Sequence, residues 1–578
     1  MRIYSQTRHL LLCFTLATLV SLQGCGGATV DRGNQKPDET TRVHTPPRLV
    51  VVLVFDQLRA DYLQTFQSRF LPAKGADGTL GGFRFLGDGG AWFPVVEHNV
   101  LQAMTAPGHA NISTGAYPSR HGIPMNKWYD PAQKRIVLAV EDAGTTCVGP
   151  CGDKTKGRSP HFLRASTIGD TLKNTREASK VVAISLKDRA AILTGGWRAN
   201  AAIWFDKKTA QWVTSSHYAP DGRLPDWVNE LNKAMAARKG ESLEWTPTGP
   251  GTGLTLDTKP TGFSHSVVFG HPHTNGFPVG IDLTVQAAKR AIAHEKLGGD
   301  EHPDILFVSF STTDIVGHCY GPNSREVEEI IVAADRAVSN LLNHIKNTVP
   351  GGLEETVIAI TGDHGVASTP TYVNARGIPA TRIDGPALIR HINRALDKRF
   401  RTRSQPWIAS IAYGNLFFDD SVLKRTGVSN RNAEQAVQKI LGQLDYVVNT
   451  ISESDVQLGR LTPGWSQQIQ NSYVPHRSGD VIMISRPFDV PKRDPAHHWT
   501  GYNYDQQVPL LLHGAPIRPG IYGQFTEIID IAPTLSFLLG IVHPSAATGR
   551  VLHHAVKPDV IYRQTPSRSH PSTRLQSP

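Results

Sequence analysis

Three stretches of this chain are apolar without interruption and then turn abruptly to acid or histidine. Leu49-Val50-Val51-Val52-Leu53-Val54-Phe55 runs into Asp56, Ile305-Leu306-Phe307-Val308-Ser309-Phe310 leads to Asp314 and His318, and Val357-Ile358-Ala359-Ile360 leads to Asp363-His364. Continuous β-branched runs predict strands buried on both faces, as in a parallel sheet. Val181–Ser185 and Pro509–Leu512 predict two more core strands. Helical spacing predicts helices over 326–345 and 432–444, and a late helix over 527–540 that Gly540 stops and Asp530 caps at its start. Strands alternating with helices predict an α/β fold, a three-layer sandwich around a mostly parallel central sheet. Irregular stretches near 190–280 and 370–495, richer in Pro, Gly and Trp, predict insertions that cap it. No internal repeat is visible.

The first residues change the picture of where this fold resides. Arg2 and Arg8 precede an apolar run, Leu10–Val20, too short to span a bilayer comfortably. Leu22-Gln23-Gly24-Cys25 then resembles the bacterial lipobox, whose Cys is lipidated and becomes the new N-terminus. The expectation is a signal peptide over 1–24, a lipid on Cys25, a flexible tether over 25–47, a catalytic domain over 48–553 and a disordered tail over 554–578. The protein would be an exported lipoprotein on the periplasmic side of a bacterial membrane. Gly26, rather than Asp, follows the Cys and favours the outer membrane. An uncleaved anchor or a plain secretory signal are the alternatives. Cys147 and Cys151 could close a small disulfide loop, clip a metal or stay as thiols; Cys319 is expected to be a buried thiol. The formal charge of +10 favours anionic partners without choosing among them. No block of like charge and no basic, aromatic-interleaved stripe is visible, so nucleic acid is not expected.

In open α/β sheets, ligands bind beyond the carboxyl ends of the strands. Asp56, Asp314, His318, Asp363 and His364 therefore converge on one edge, with a further contribution from His497-His498. Asp and His suit zinc. Asp314 and His318, four residues apart, fall on one side of a helical turn. Taken singly, an Asp after a strand is a helix cap and an Asp-His pair a hydrogen-bonded loop; the conjunction after three strands is hard to reach by chance. Two sites of three protein ligands each leave open positions for chemistry, and two metals about 4 Å apart can clamp the entering and leaving oxygens of a displacement. Thr105, before Ala106-Pro107, offers a hydroxyl where a helix could begin, as nucleophile or merely as N-cap.

These residues together resemble the alkaline phosphatase superfamily, and within it the bacterial single-chain alkaline phosphatases of the type I phosphodiesterase/nucleotide pyrophosphatase family. The resemblance is carried by Phe55-Asp56-Gln57-Leu58-Arg59-Ala60-Asp61-Tyr62-Leu63, Thr105-Ala106-Pro107-Gly108-His109, Ser311–His318, Gly362-Asp363-His364-Gly365 and Tyr502-Asn503-Tyr504-Asp505. It implies two zinc ions. Asp314, His318 and His498 would hold one; Asp56, Asp363 and His364 the other, with the Thr105 oxygen as a further ligand. It also implies that Asn126, Lys187, Arg189 and the amide of Ala106 hold phosphate oxygens, Lys187 and Arg189 being the pair that marks monoesterases. The expected function is zinc-dependent hydrolysis of small phosphate monoesters through a threonyl-phosphate, by a monomer that meets a membrane through its N-terminal lipid. One rival is a phosphodiesterase or nucleotide pyrophosphatase on the same scaffold; another is a non-catalytic, metal-binding surface lipoprotein. No Cys-x-Pro-x-Arg segment supports a sulfatase. Trp499 stands where the family often has Gly, and is expected to narrow the substrate entrance or stack on an aromatic leaving group. The Cys147–Cys151 segment has no counterpart in the resemblance.

Overall fold

The computed structural model describes residues 45–252 and 262–558 of the chain. The central sheet starts with β1 (Leu49–Phe55), β2 (Ala91–Glu97), β3 (Cys147–Val148), β4 (Val181–Ser185), β5 (Ala201–Asp206), β6 (Gln211–Ser215), β7 (Asp304–Phe310) and β8 (Thr356–Gly362). A second sheet follows, made of β9 (Ile408–Ala412), β10 (Asn415–Phe418), β11 (Val447–Ser452) and β12 (Val481–Ser485). The chain then returns to the central sheet with β13 (Gln507–His513) and β14 (Gly520–Ile521). The helices that matter below are α1 (Thr105–Thr114), α2 (Asp188–Gly195), α3 (Thr312–Tyr320), α4 (Arg325–Thr348), α5 (Gly385–Phe400), α6 (Asn430–Leu441) and α7 (Ile531–Leu539).

The ten central strands lie in the order β14-β2-β13-β8-β1-β7-β4-β5-β6-β3. Five neighbours, β8-β1-β7-β4-β5, are mutually parallel. Only β13 and β6 run against the rest. Successive side chains of β1 enter two different cores, as a strand buried on both faces must. Leu49, Val51, Leu53 and Phe55 pack with Ile330, Val338 and Leu341 of α4. Val50, Val52 and Val54 pack with Ile112 of α1 and Leu535 of α7 on the other face. The result is the expected three-layer sandwich. Phe55 and Phe310, paired in register, stack at 4.5 Å and pin β1 to β7 just before both strands release their functional residues.

The second sheet, ordered β9-β10-β12-β11 and antiparallel throughout, is built from residues 408–485. α5 and α6 cover it, burying Leu388, Ile392, Leu396, Val437 and Leu441 against Leu416, Phe418 and Val481. This core continues to Met104, Ala106 and Ala110 around the start of α1. The 370–495 stretch thus forms a cap. The stretch near 190–280 is different: β5 and β6 extend the central sheet, so it is not wholly an insertion. Short strands of six and five residues, one antiparallel, leave too little periodicity to be separated from the surrounding Gly and Trp.

Asp530 caps the start of the late helical segment as expected, accepting the Glu527 N–H in a capping box at the 3-10 turn that runs into α7, and the Arg550 N–H besides. Two other expectations change. The start of the expected disordered tail is packed: Ala555 and Val556 are buried, and the Lys557 N–H donates to the Pro516 carbonyl. Cys319 is exposed, because α3 turns Asp314 and Gly317 inward and carries residue 319 round to the outside. Cys147 and Cys151 are joined as a disulfide, and β3 pairs with β6. The signal peptide, Cys25, most of the tether and the tail beyond 558 lie outside the described residues.

Candidate active site

The register of the sheet gathers the site. Leu53 is level with Ile360 and Val308, Val308 with Ile184, and Ile184 with Ile203. Three residues further along each strand stand Asp363, Asp56, Ser311, Lys187 and Asp206. β7 turns directly into α3, whose first turns present Asp314 and His318 on the same side. The carboxyl edge of the parallel strands thus holds three carboxylates and a lysine in a row.

Two groups of ligand atoms form. In the first, Asp314 Oδ1 lies 3.2 Å from His318 Nε2 and 3.3 Å from His498 Nε2, and the two nitrogens are 3.2 Å apart. Zinc bound tetrahedrally at about 2.0–2.1 Å separates its ligands by about 3.3 Å, so these three atoms already mark one face of such a tetrahedron. In the second, His364 Nε2 lies 3.3 Å from Asp56 Oδ1 and 3.5 Å from Asp363 Oδ2. All three atoms are buried and without a hydrogen-bond partner. Buried polar atoms that face one another unpaired are costly unless an ion joins them. Each histidine is oriented for this: the Nδ1 atoms of His318, His498 and His364 meet the carbonyls of Ala496, Ala103 and Gly365 at 2.8, 2.9 and 2.9 Å, leaving Nε2 for a metal. The residues fit two divalent ions. His497 stands outside the first group, its Nε2 turned to Asp494 Oδ2 at 3.5 Å.

Charge is finely divided here. Burial works to neutralise each acid, yet His318 and Lys187 hold Asp314 well below the usual carboxylate range, and His364 and His109 do the same for Asp363. Asp56 goes the other way, raised by burial and by its two acidic neighbours. Burial lowers His498 to about 3, reinforced by His364, while Asp363 and Asp56 overcome burial and raise His364 to about 9. Lys187 Nζ sits between the groups, 2.6 Å from Asp56 Oδ2 and 2.5 Å from Asp314 Oδ2. It was expected on phosphate; in the structure it bridges the second oxygens of one carboxylate from each group.

Thr105 is the first residue of α1, and the preceding Met104 supplies no cap bond, so the hydroxyl is not spent as an N-cap. Arg189, at the start of α2, places Nη2 3.3 Å from Thr105 Oγ1 and keeps a buried Nε without a partner. Asn126 Oδ1 accepts the Ala106 N–H at 2.7 Å. The Ala106 amide therefore orients Asn126 instead of standing free for phosphate. Trp499 is not at an entrance: it is buried, its ring under Gly414 of the β9–β10 turn, where an added Cβ would come within 3.0 Å.

Four residues escaped the sequence reading. Gln57, with φ +70°, donates its backbone N–H to Asp363 Oδ1 and its side-chain amide to Asp314 Oδ1, tying the two groups together. His109 Nδ1 lies 2.8 Å from the Thr105 carbonyl and 3.3 Å from Asp363 Oδ2. Asp505 Oδ2 accepts the N–H groups of Trp499 and Thr500 and the Thr500 hydroxyl, holding the loop that carries His498. Tyr413, at the tip of the β9–β10 turn with φ +51°, brings its phenol within reach of the Asn126 amide. Three of the four stood inside or beside the quoted motifs without a role; for Tyr413 the only signal was a turn-like Tyr-Gly-Asn.

Comparison with known proteins finds relatives along almost the whole chain. The profile of the type I phosphodiesterase / nucleotide pyrophosphatase family matches residues 50–489. Alkaline phosphatase PhoV of Synechococcus elongatus is 31% identical over 572 residues, 95% of this chain and 99% of its own. Alkaline phosphatase PafA of Elizabethkingia meningoseptica is 31% identical over 554 residues, 91% of this chain and 96% of its own. The crystal structure of wild-type PafA superposes with a TM-score of 0.79 at 29% identity, covering 89% of this chain and all of that one. With a family profile spanning most of its length and relatives aligned almost end to end, the chain belongs to the type I phosphodiesterase / nucleotide pyrophosphatase family.

Proposed function

We propose that this protein is an alkaline phosphatase, hydrolysing small phosphate monoesters with two zinc ions and a threonyl-phosphate intermediate. The observation that carries the reading is Thr105, uncapped and held by Arg189, beside two three-ligand groups in a chain that alkaline phosphatases match along nearly all its length. Zinc held by Asp314, His318 and His498 and by Asp56, Asp363 and His364 would neutralise the oxygens that gain charge in the displacement. Thr105 Oγ1 attacks phosphorus, its bond to phosphorus forming as the ester P–O bond breaks and the alcohol leaves. Water then cleaves the threonyl-phosphate, releasing inorganic phosphate and restoring the hydroxyl. Asn126, steadied through Oδ1 by Ala106, turns its amide N–H groups to a phosphate oxygen. Arg189 supplies a charged fork, and Lys187 a second cation that can move from the carboxylates to the substrate. Such positioning and charge neutralisation are most of what phosphoryl transfer requires.

Two cations suit a dianionic monoester better than a diester, which favours the monoesterase over the phosphodiesterase reading. The test is hydrolysis of para-nitrophenyl phosphate against its bis-para-nitrophenyl diester, with zinc and after chelation. Chelator-sensitive preference for the monoester is expected. Preference for the diester would move the function to the phosphodiesterase branch, and metal-loaded protein inert to both would favour the non-catalytic lipoprotein. The lipobox at Cys25 and the Cys147–Cys151 disulfide, suited to an oxidising compartment, support an exported lipoprotein facing the periplasm. The mass of the mature N-terminus checks that placement.

A further inference from the structure

The cap presents a surface that phosphate hydrolysis does not use. α5 and α6 pack side by side on the second sheet and turn their apolar residues inward. Outward they expose Arg390, Arg394, Lys398 and Arg399 on α5, and Arg431 and Lys439 on α6. The two acids of these helices are withdrawn. Glu434 is buried, and Asp397 accepts from the Thr402 hydroxyl and the Trp407 indole where α5 ends. Among the described residues none of these six cations has an ion-pair partner.

This concentration was hidden in the sequence by the inward apolar residues that separate the cations. Residues 390–403 contain six Lys or Arg and one Asp, half of the +10 carried by the whole chain. Arg390, Arg394 and Lys398 follow each other at four-residue intervals, so like charges are stacked along one helix, an arrangement that weakens a helix in isolation. A second cationic helix beside the first adds to the repulsion. What relieves it is an extended anionic surface. α5 is 16 residues long, about 24 Å, so the face is broad rather than a pocket for one small anion. Neither helix exposes a Phe, Tyr or Trp side chain, and the single exposed ring, His391, is no row of stacking platforms, which argues against single-stranded nucleic acid.

We propose that the outward face of α5 and α6 docks on an anionic phospholipid surface and so sets how the catalytic domain lies against its membrane. The charge argument stands by itself; only the presence of a membrane nearby rests on the lipoprotein reading. The test uses the chain from Gly26 onward, which contains every described residue and carries no lipid. It is sedimented with vesicles of phosphatidylglycerol and phosphatidylcholine, and with phosphatidylcholine alone. The expected result is binding to the anionic vesicles only, lost when salt is raised from about 0.05 M to about 0.5 M. Arg390→Glu with Arg394→Glu and Lys398→Glu should weaken that binding at least about tenfold while para-nitrophenyl phosphate turnover stays unchanged, which also reports that the variant is folded. Equal binding to both vesicle types, no binding to either, or full binding by the triple variant would overturn the proposal. Tighter binding of single-stranded DNA than of anionic vesicles would overturn it in favour of a nucleic-acid partner. The N-terminal mass, measured on the exported protein, keeps any failure here distinct from failure of the lipoprotein reading.

Discussion

Gln57 holds a left-handed backbone conformation that costs a non-glycine residue about 1 kcal/mol, and both ligand groups depend on it. Its amide also needs the absence of a side chain at residue 317, where an added Cβ would fall 1.7 Å from Gln57 Oε1. Gln57→Ala keeps the backbone bond to Asp363 but removes the amide that holds Asp314 Oδ1, leaving Lys187 on the other oxygen. Affinity for a divalent ion should fall about ten- to hundredfold, measured with zinc by competition with a chelator. Thr105→Ala should behave oppositely, losing turnover by at least about 10³-fold with bound metal unchanged by elemental analysis. At this scale the sequence exposed Asp56, Asp314, His318, Asp363 and His364, because each follows an apolar run or sits at helical spacing, whereas His498 was singled out only by the family resemblance. It did not expose Gln57, since glutamine carries no mark of a positive φ. Nor did it expose Tyr413, whose meeting with Asn126 joins positions nearly three hundred residues apart.

Between elements, α1 approaches the end of β8 too closely for any side chain at residue 108. A Cβ added to Gly108 would lie 2.1 Å from the Asp363 carbonyl oxygen. Gly108→Ala must therefore push α1, which begins with Thr105, away from the strand end that carries Asp363 and His364. A loss of about 1–3 kcal/mol in denaturant stability is expected, with a fall in kcat larger than that loss explains. Unchanged kcat would show that Thr105 does not need this spacing. The elements legible beforehand were those with an unbroken apolar run or a clear helical period: β1, β4, β7, β8 and α4. Direction was not legible. Pro509–Leu512 reads as one more buried strand, and only pairing reveals that β13 runs antiparallel to β8. The cap sheet escaped too, because strands of four to six residues among turns leave little pattern.

For the molecule as a whole, Asp304 reports how stability follows pH. It opens β7 and accepts the N–H groups of Lys180 and Gly298, while burial raises it to about 6. Its unfolded value is near 3.8. The folded state therefore holds this proton more tightly than the unfolded one. The associated stability is fully present below about pH 3.8 and is lost as pH rises through about 6, by up to about 3 kcal/mol. Asp304→Asn should remove that part of the slope, seen by comparing urea unfolding of the two proteins at pH 4 and pH 7. An identical slope in both would show that Asp304 does not titrate in this range.

The row of strand ends has a consequence for how this protein could have changed over time. Acids follow β8, β1 and, through α3, β7, whereas Lys187 and Arg189 both follow β4. Under the proposed function, metal binding and substrate choice would be written on adjoining but separate strands. A drift from diesters to monoesters, or back, would then need revision of a single connection, β4 to α2, with the metal-binding strand ends inherited intact.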